Sequence, residues 1–233
     1  MNSTLQNVTI VLVHGAWADG SCWRNVILQL QRENVKTISA QLPLTSLAED
    51  IDALNRTLER TSDPVVLVGH AYAGAVISAM KKDRVKALVY IAALAPDEGE
   101  TVANVFYRSP PHPDAPRLTP DAHGFLWMPE EGFRQAVAHN ASTEEIAVLA
   151  TAQRPIALGC IEKPVPLPDW RSKASVFLLA EEDRMISPET QRFMADRMRA
   201  RVRSCKTDHS PMLSAPNLVV DTIREAVRET RSP

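Results

Sequence analysis

The chain has 233 residues, 45% of them apolar and 23% charged, with a formal net charge of −2 at neutral pH. That length and apolar content suit one α/β domain with a sizeable core and room for an insertion. The near-neutral balance offers neither the basic footprint that nucleic acid needs nor a polybasic patch for a membrane surface.

Val8 to Val13 is a short, nearly all-apolar run ending at His14-Gly15-Ala16, the pattern of a buried parallel strand. From Ser21 to about Glu33, Trp23, Val26, Ile27 and Leu30 recur at helical spacing, and Ser21 is expected to cap that helix. Val35 to Ile38 predicts a second strand. Ser46 and Glu49 form a capping-box pair ahead of Ile51, Leu54 and Leu58. The apolar run Val65 to Val68 feeds "GHAYAG", Gly69 to Gly74, which reads as a strand, a sharp turn and the start of a helix. Another buried strand is expected over Ala87 to Leu94. This alternation predicts an α/β fold with a mostly parallel, doubly wound sheet and helices on both faces.

The alternation breaks after Ala95. The stretch "RSPPHPDAPRLTP" holds Pro110, Pro111, Pro113, Pro116 and Pro120, which rule out a regular helix or a central strand. "LTPDAHGFLWMP" predicts two short extended pieces around an Asp-Ala-His-Gly turn, and "STEEIAVLATAQ" is helical in pattern. Residues 96–170 are therefore expected to form a helical and irregular cap over a core made of residues 1–95 and 171–233. In the resumed alternation, Ala174 to Ala180 is a strand and Ser187-Pro188 opens a helix running to about Arg199. Val202 to Lys206 is the last strand, and Ser214 to Val227 is a closing helix with Pro216 near its start.

Three cysteines, Cys22, Cys160 and Cys205, are odd in number and far apart, so no disulfide framework is expected and a reducing, cytoplasmic setting fits. "MNSTLQNVTIVLVHG" has no basic region, and its apolar run is too short for a signal peptide or membrane span. The N-x-[ST] matches at Asn2, Asn7, Asn55 and Asn140 are accordingly read as chance.

Parallel sheets bind ligands beyond the carboxyl ends of their strands. Here those ends bring Gly15-Ala16, then Gly69-His70-Ala71-Tyr72, then Asp183 in "AEEDRMIS", then His209 in "TDHSPM". Elbow, acid and histidine follow in the chain order of a Ser…Asp…His triad, except that the elbow position is Ala71. His209 alone would read as a loop histidine; its place between the last strand and a Pro-initiated helix favours catalysis. Glu181, Glu182 and Asp208 compete with Asp183 as the acid. The first two read as solvated and Asp208 adjoins His209 too closely to orient it easily, and the choice of Asp183 rests on the family resemblance that "EDRMISP" carries.

"VLVHGAWADGSCW", "VVLVGHAYAGAVI", "AEEDRMISPETQRFMADRM" and "TDHSPMLSAP" resemble the matching segments of the α/β-hydrolase superfamily, most of all its small esterase and hydroxynitrile-lyase branch, which includes plant methylesterases. The resemblance spans almost the whole chain outside the cap. That branch normally reads G-H-S-x-G-G at the elbow, so this chain departs from it mildly at Ala73 and severely at Ala71. The resemblance implies a nucleophile at position 71, His209 as general base, Asp183 as its orienting acid, and an oxyanion hole from the backbone N–H groups of Ala16 and Tyr72. Each such donor is worth roughly 3–4 kcal/mol, and loss of the nucleophile costs on the order of 10⁶ in kcat.

The expected parent activity is hydrolysis of a small, largely apolar carboxylic ester by acyl transfer, with no cofactor and no metal. The expected partner is a small-molecule ester, not nucleic acid or membrane; a homodimer is left open. Ala71 reads in two ways. The favoured reading is a Ser-to-Ala change in an otherwise complete enzyme. The other is a natural, non-catalytic binding protein of the same fold. A lyase or cofactor-free oxygenase on this scaffold is the remaining alternative; a cyanohydrin-type lyase is disfavoured, because no lysine comes close to His209 beyond Lys206 on the preceding strand. His14 and His70 are expected to be buried hydrogen-bonding groups, and Cys22 a packing residue. Trp17, Phe125 and Trp127 are the candidate pocket walls, while Trp23 and Phe133 also read as core.

Overall fold

A computed structural model describes Leu5 and residues 7–230; the Asn2 sequon lies outside the described residues. β1 (Thr9–Val13) leads through a 3₁₀ turn over Gly20–Trp23 into α1 (Arg24–Arg32), β2 (Lys36–Ala40), α2 (Leu47–Glu59), β3 (Val65–His70), α3 (Ala73–Ser78) and β4 (Val85–Ile91). The chain then leaves the sheet. It forms α4 (Val102–Phe106), β5 (Phe125–Leu126), α5 (Glu130–Gly132) with a wider π-type turn over Phe133–Val137, α6 (Thr143–Ala152), β6 (Ile156–Ala157) and α7 (Leu158–Ile161). It rejoins the sheet as β7 (Ala174–Ala180), followed by α8 (Pro188–Arg197), β8 (Arg201–Cys205), α9 (Pro211–Ser214) and α10 (Pro216–Glu229).

The six-stranded sheet has the order β2-β1-β3-β4-β7-β8, and every pairing in it is parallel. Strand alternation divides the core in two. Val11 and Val13 of β1, Leu67 of β3 and Phe177 of β7 face one apolar cluster with α2 and α3. Ile10 and Leu12, Val66 and Val68, and Val176 and Leu178 face the other, under α1 and α10. Both faces are covered, which is why these strands read as continuous apolar runs. Burying each large side chain contributes about 1.5–3 kcal/mol. The order reverses at β1, whose neighbours are β2 and β3, so a crevice opens beyond the ends of β1 and β3.

Several expectations change in detail. The strand expected over Ala87 to Leu94 is Val85–Ile91; Ala92 turns off with φ of 42°, and the apolar run beyond it is a buried loop. Ser21 does not cap a helix. Asp19 does, accepting from the Ser21 N–H at 2.7 Å, because the chain enters α1 through a 3₁₀ turn. The turn Asp121–Gly124 forms, with the Asp121 carboxylate accepting from the N–H groups of His123 and Phe125 and with Gly124 at φ of 81°. Its two arms do not pair as a hairpin, however: β5 pairs antiparallel with β6, thirty residues on, and the proline-rich arm before the turn forms no strand. The closing helix splits into α9 and α10 at Ala215, with a proline in the first turn of each.

Candidate active site

The loop after β1 meets the turn after β3. A Cβ placed on Gly15 would lie 3.0 Å from the Ala71 Cβ and 3.0 Å from the His70 carbonyl oxygen, so any side chain there would press the two turns apart by a few tenths of an ångström. His14, fully buried, fixes the loop: its Nε2 accepts from the Leu42 N–H at 2.9 Å, which leaves Nδ1–H to donate to the Gly15 carbonyl. Burial holds its pKa down at about 4, so it stays neutral. His70 lies beside His209 with ring centroids 4.8 Å apart, and its Nε2–H donates to the His209 carbonyl at 2.7 Å. Burial, then the neighbouring His209, keeps the His70 pKa well below the usual range. Both histidines are fixing groups, as their sequence positions imply.

Ala71 adopts a left-handed conformation with φ of 48°. Its carbonyl accepts from the N–H groups of Leu94 at 2.9 Å and Gly74 at 3.1 Å, and its own N–H donates to Ile91 at 3.3 Å. Gly74 is required because a Cβ there would collide with the Leu94 carbonyl, whereas Ala73 fits fully buried. Position 71 therefore sits on a sharp strand-to-helix turn.

His209, in the loop after β8, places Nδ1 2.8 Å from the Asp183 Oδ2. Asp183 is saturated: Oδ1 accepts from the N–H groups of Met185 and Ile186 at 2.8 and 2.9 Å, and Oδ2 also accepts from the Gln191 Nε2 at 2.8 Å. Gln191 is itself locked, its Oε1 accepting from the Ala180 N–H and its Nε2 donating to the Ile186 carbonyl. Asp208 has a different task. It accepts from the Ser210 N–H, the Ser214 hydroxyl and the Asn140 N–H, joining α9 to the 96–170 segment. Glu181 and Glu182 are exposed.

A cavity of about 520 Å³ opens onto Ala71 and His209, a size typical of small-molecule sites. Ala16, Trp17 and Tyr72 also line it, and the N–H groups of Ala16 and Tyr72 find no acceptor among the described residues. Below the floor, the Tyr72 hydroxyl donates to the Asp50 Oδ2 at 2.7 Å, where Cys160 also approaches at 3.6 Å, and the Asp50 Oδ1 accepts from the Leu44 N–H. Burial raises the pKa of Asp50 and pushes the Cys160 thiol up to about 12. Burial and then the Asp50 charge raise that of Tyr72 well above its usual value.

Of the three aromatic wall candidates, Trp17 lines the cavity, its Nε1 donating to the Leu126 carbonyl at 2.9 Å. Phe125 and Trp127 do not. Strand alternation turns Leu126 inward and the residues on either side away, and half-exposed Trp127 donates to the Asp121 carboxylate outside. Phe106, Tyr107, Leu118, Ile156 and Ile161 of the 96–170 segment form the wall instead. Gln191 and Asp50 were missed by the sequence reading because each lies in the first turn of a helix, where a polar residue reads as ordinary and no motif marks it. Cys22 is a buried packing residue whose thiol pKa burial raises.

The alpha/beta hydrolase family profile matches residues 10–222. The chain belongs to this family. Among curated relatives, the alpha/beta hydrolase nvfD of Aspergillus novofumigatus (strain IBT 16806) is 25% identical over 247 residues, covering 94% of this chain and 96% of that protein. Methylesterase 8 of Arabidopsis thaliana is 23% identical over 239 residues, covering 91% and 86%. The solved pyrethroid hydrolase PytH superposes with a TM-score of 0.81 at 20% identity, over 97% of this chain and 100% of that one. These likenesses are consistent with the methylesterase-like branch of the fold, and the hydrolase family with its esterase relatives is the functional class they support. Among the described residues, no helix is long and apolar enough to cross a membrane.

Proposed function

We propose that the cavity is the active site of a carboxylic-ester hydrolase of the Ser-His-Asp type, held in this chain in a nucleophile-deficient form. The observation that supports this best is the contact of His209 with Asp183 at 2.8 Å, beside an elbow alanine whose φ is 48° and which faces the same cavity. Relatives named for ester cleavage, Methylesterase 8 among them, favour an ester over other acyl substrates. The apolar walls fit a small, largely apolar molecule. Residues 96–170 act as the cap that closes over it, and residues 1–95 with 171–233 act as the core.

With serine at position 71, its hydroxyl oxygen attacks the ester carbonyl while His209 Nε2 takes the proton. The tetrahedral oxyanion receives hydrogen bonds from the N–H groups of Ala16 and Tyr72. Collapse breaks the bond to the alkoxy group, which leaves as the alcohol with the proton from His209. Water then repeats the sequence on the acyl-enzyme and frees the acid. Asp183 accepts from its four donors throughout, orienting the His209 ring and stabilising the imidazolium. With Ala71 no Oγ exists, so the chain binds ester without forming an acyl-enzyme.

Ala71→Ser is the test. It is expected to create p-nitrophenyl ester hydrolysis on the order of 10⁶ above the present chain, and His209→Ala in that background is expected to remove it. The competing reading, a natural binding protein, is favoured by Ala71 itself, and it predicts that the serine variant stays inert.

A further inference from the structure

The residues lining the cavity include no Asp, Glu or Lys, and Arg117 is the one among them with a permanent charge. Three other arginines of the surrounding elements are engaged, while Arg154, beside Trp17 through its backbone carbonyl, does not line the cavity. Arg184 pairs with Asp114 at 3.2 Å, Arg197 with Glu100 at 2.9 Å, and the Arg108 guanidinium lies 3.5 Å from the centre of the Phe193 ring. Arg117 has no ion pair and no hydrogen bond among the described residues. Asp114, the acid closest to it in sequence, already faces Arg184 and, at 3.8 Å, His112.

The position of Arg117 is built into the fold. Pro116 packs on α5 so closely that a Cβ on Gly132 would meet its Cγ at 3.0 Å. Leu118, on the other side, packs against two of the apolar clusters. Arg117 is thus held between two anchored residues and, itself exposed, lines the same largely apolar cavity as Ala71 and His209.

We propose that Arg117 is the anion-binding residue of this cavity, and that the substrate is an acid-tailed ester: a molecule with a reacting ester at one end, an apolar middle and a free carboxylate at the other, such as the half-ester of a dicarboxylic acid. The identity of the reacting group rests on the hydrolase reading above; the carboxylate site does not. A guanidinium matches a carboxylate through a planar pair of N–H donors, and the apolar wall takes the methylene chain. Cationic esters are disfavoured because no carboxylate lines the cavity. Arg117 is exposed, so salt screens the attraction, and its effect is selectivity of about tenfold rather than all-or-none recognition.

The present chain is titrated calorimetrically with monomethyl half-esters of the diacids from succinate to suberate, and with the dimethyl diesters of the same acids, at low and high salt. The expected result is a half-ester bound about tenfold more tightly than its diester at low salt. The preference shrinks at high salt, vanishes in Arg117→Gln and survives in part in Arg117→Lys. In the Ala71→Ser chain, Arg117→Gln raises KM for that half-ester with kcat little changed and leaves the diester unaffected. Equal binding of half-esters and diesters, unchanged by Arg117→Gln, overturns the proposal. Arg117-dependent binding without any hydrolysis by Ala71→Ser supports the carboxylate site and contradicts the hydrolase reading. Hydrolysis indifferent to Arg117→Gln does the reverse.

Discussion

For an alanine, a left-handed backbone costs about 1 kcal/mol and gains nothing through a methyl group. At position 71 it persists because three backbone hydrogen bonds, with Ile91, Gly74 and Leu94, over-determine it. A serine there would inherit the same aim, which is why a one-atom change suffices as a test. The next residue is fixed from below. Tyr72 supplies one of the two free N–H groups, while its hydroxyl is spent on Asp50, a carboxylate with no cation among its hydrogen-bond partners. Tyr72→Phe removes a donor from a buried acceptor, a loss that typically costs about 1–3 kcal/mol. Urea unfolding is expected to show a drop of that size; an unchanged midpoint would mean the Asp50 contact contributes nothing to holding the floor.

At the scale of elements, the joints between α9 and the 96–170 segment decide whether His209 and the cavity wall stay in register. Asp208 ties the N–H groups of Asn140 and Ser210 together, and the Ser210 hydroxyl donates to the Val137 carbonyl at 2.8 Å. Asp208→Ala is expected to cost about 1.5–3 kcal/mol and to loosen residues 137–141 selectively, read as faster amide exchange at Asn140 with little change in the β-strands. Uniform protection across the chain would contradict that role. These joints were illegible in sequence because "TDHS" carries no periodicity. The sequence reading set Asp208 aside for the right geometric reason, yet found no task for it. Where local chemistry decides, reading succeeded: the Ser46 and Ser187 caps and the proline starts of α8 and α10 follow from residue type alone. Where the partner lies far away, as for β5 with β6, it failed, and with it the choice of Phe125 and Trp127 as pocket walls.

Across the whole molecule, the parallel sheet was legible because burial on both faces turns strands into unbroken apolar runs. The wall of the cavity was not, since the path of a proline-rich segment is set by packing rather than period. The same deep burial fixes the acid response. His14 is held neutral in the folded chain, with its pKa lowered from 6.5 to about 4, and that of His70 shifts in the same direction. The unfolded chain takes up these protons first as pH falls below 6.5, so stability is full above that pH and is lost as pH falls towards 4. His14 alone accounts for about 2 kcal/mol between pH 7 and pH 5. Asp50, with a raised pKa, works in the opposite sense, adding stability as pH falls through its folded-state pKa. Urea midpoints are expected to fall over this interval; a flat profile would show that these histidines titrate alike in both states.

The most direct probe of the central assignment is covalent. The Ala71→Ser chain is treated with a diethyl p-nitrophenyl phosphate and examined by intact-mass and peptide mass spectrometry. The account predicts one diethylphosphoryl group on residue 71, and none on the present chain or on the serine variant that also has His209→Ala. A serine at position 71 that stays unlabelled while the protein remains folded, or a label that forms without His209, would contradict it.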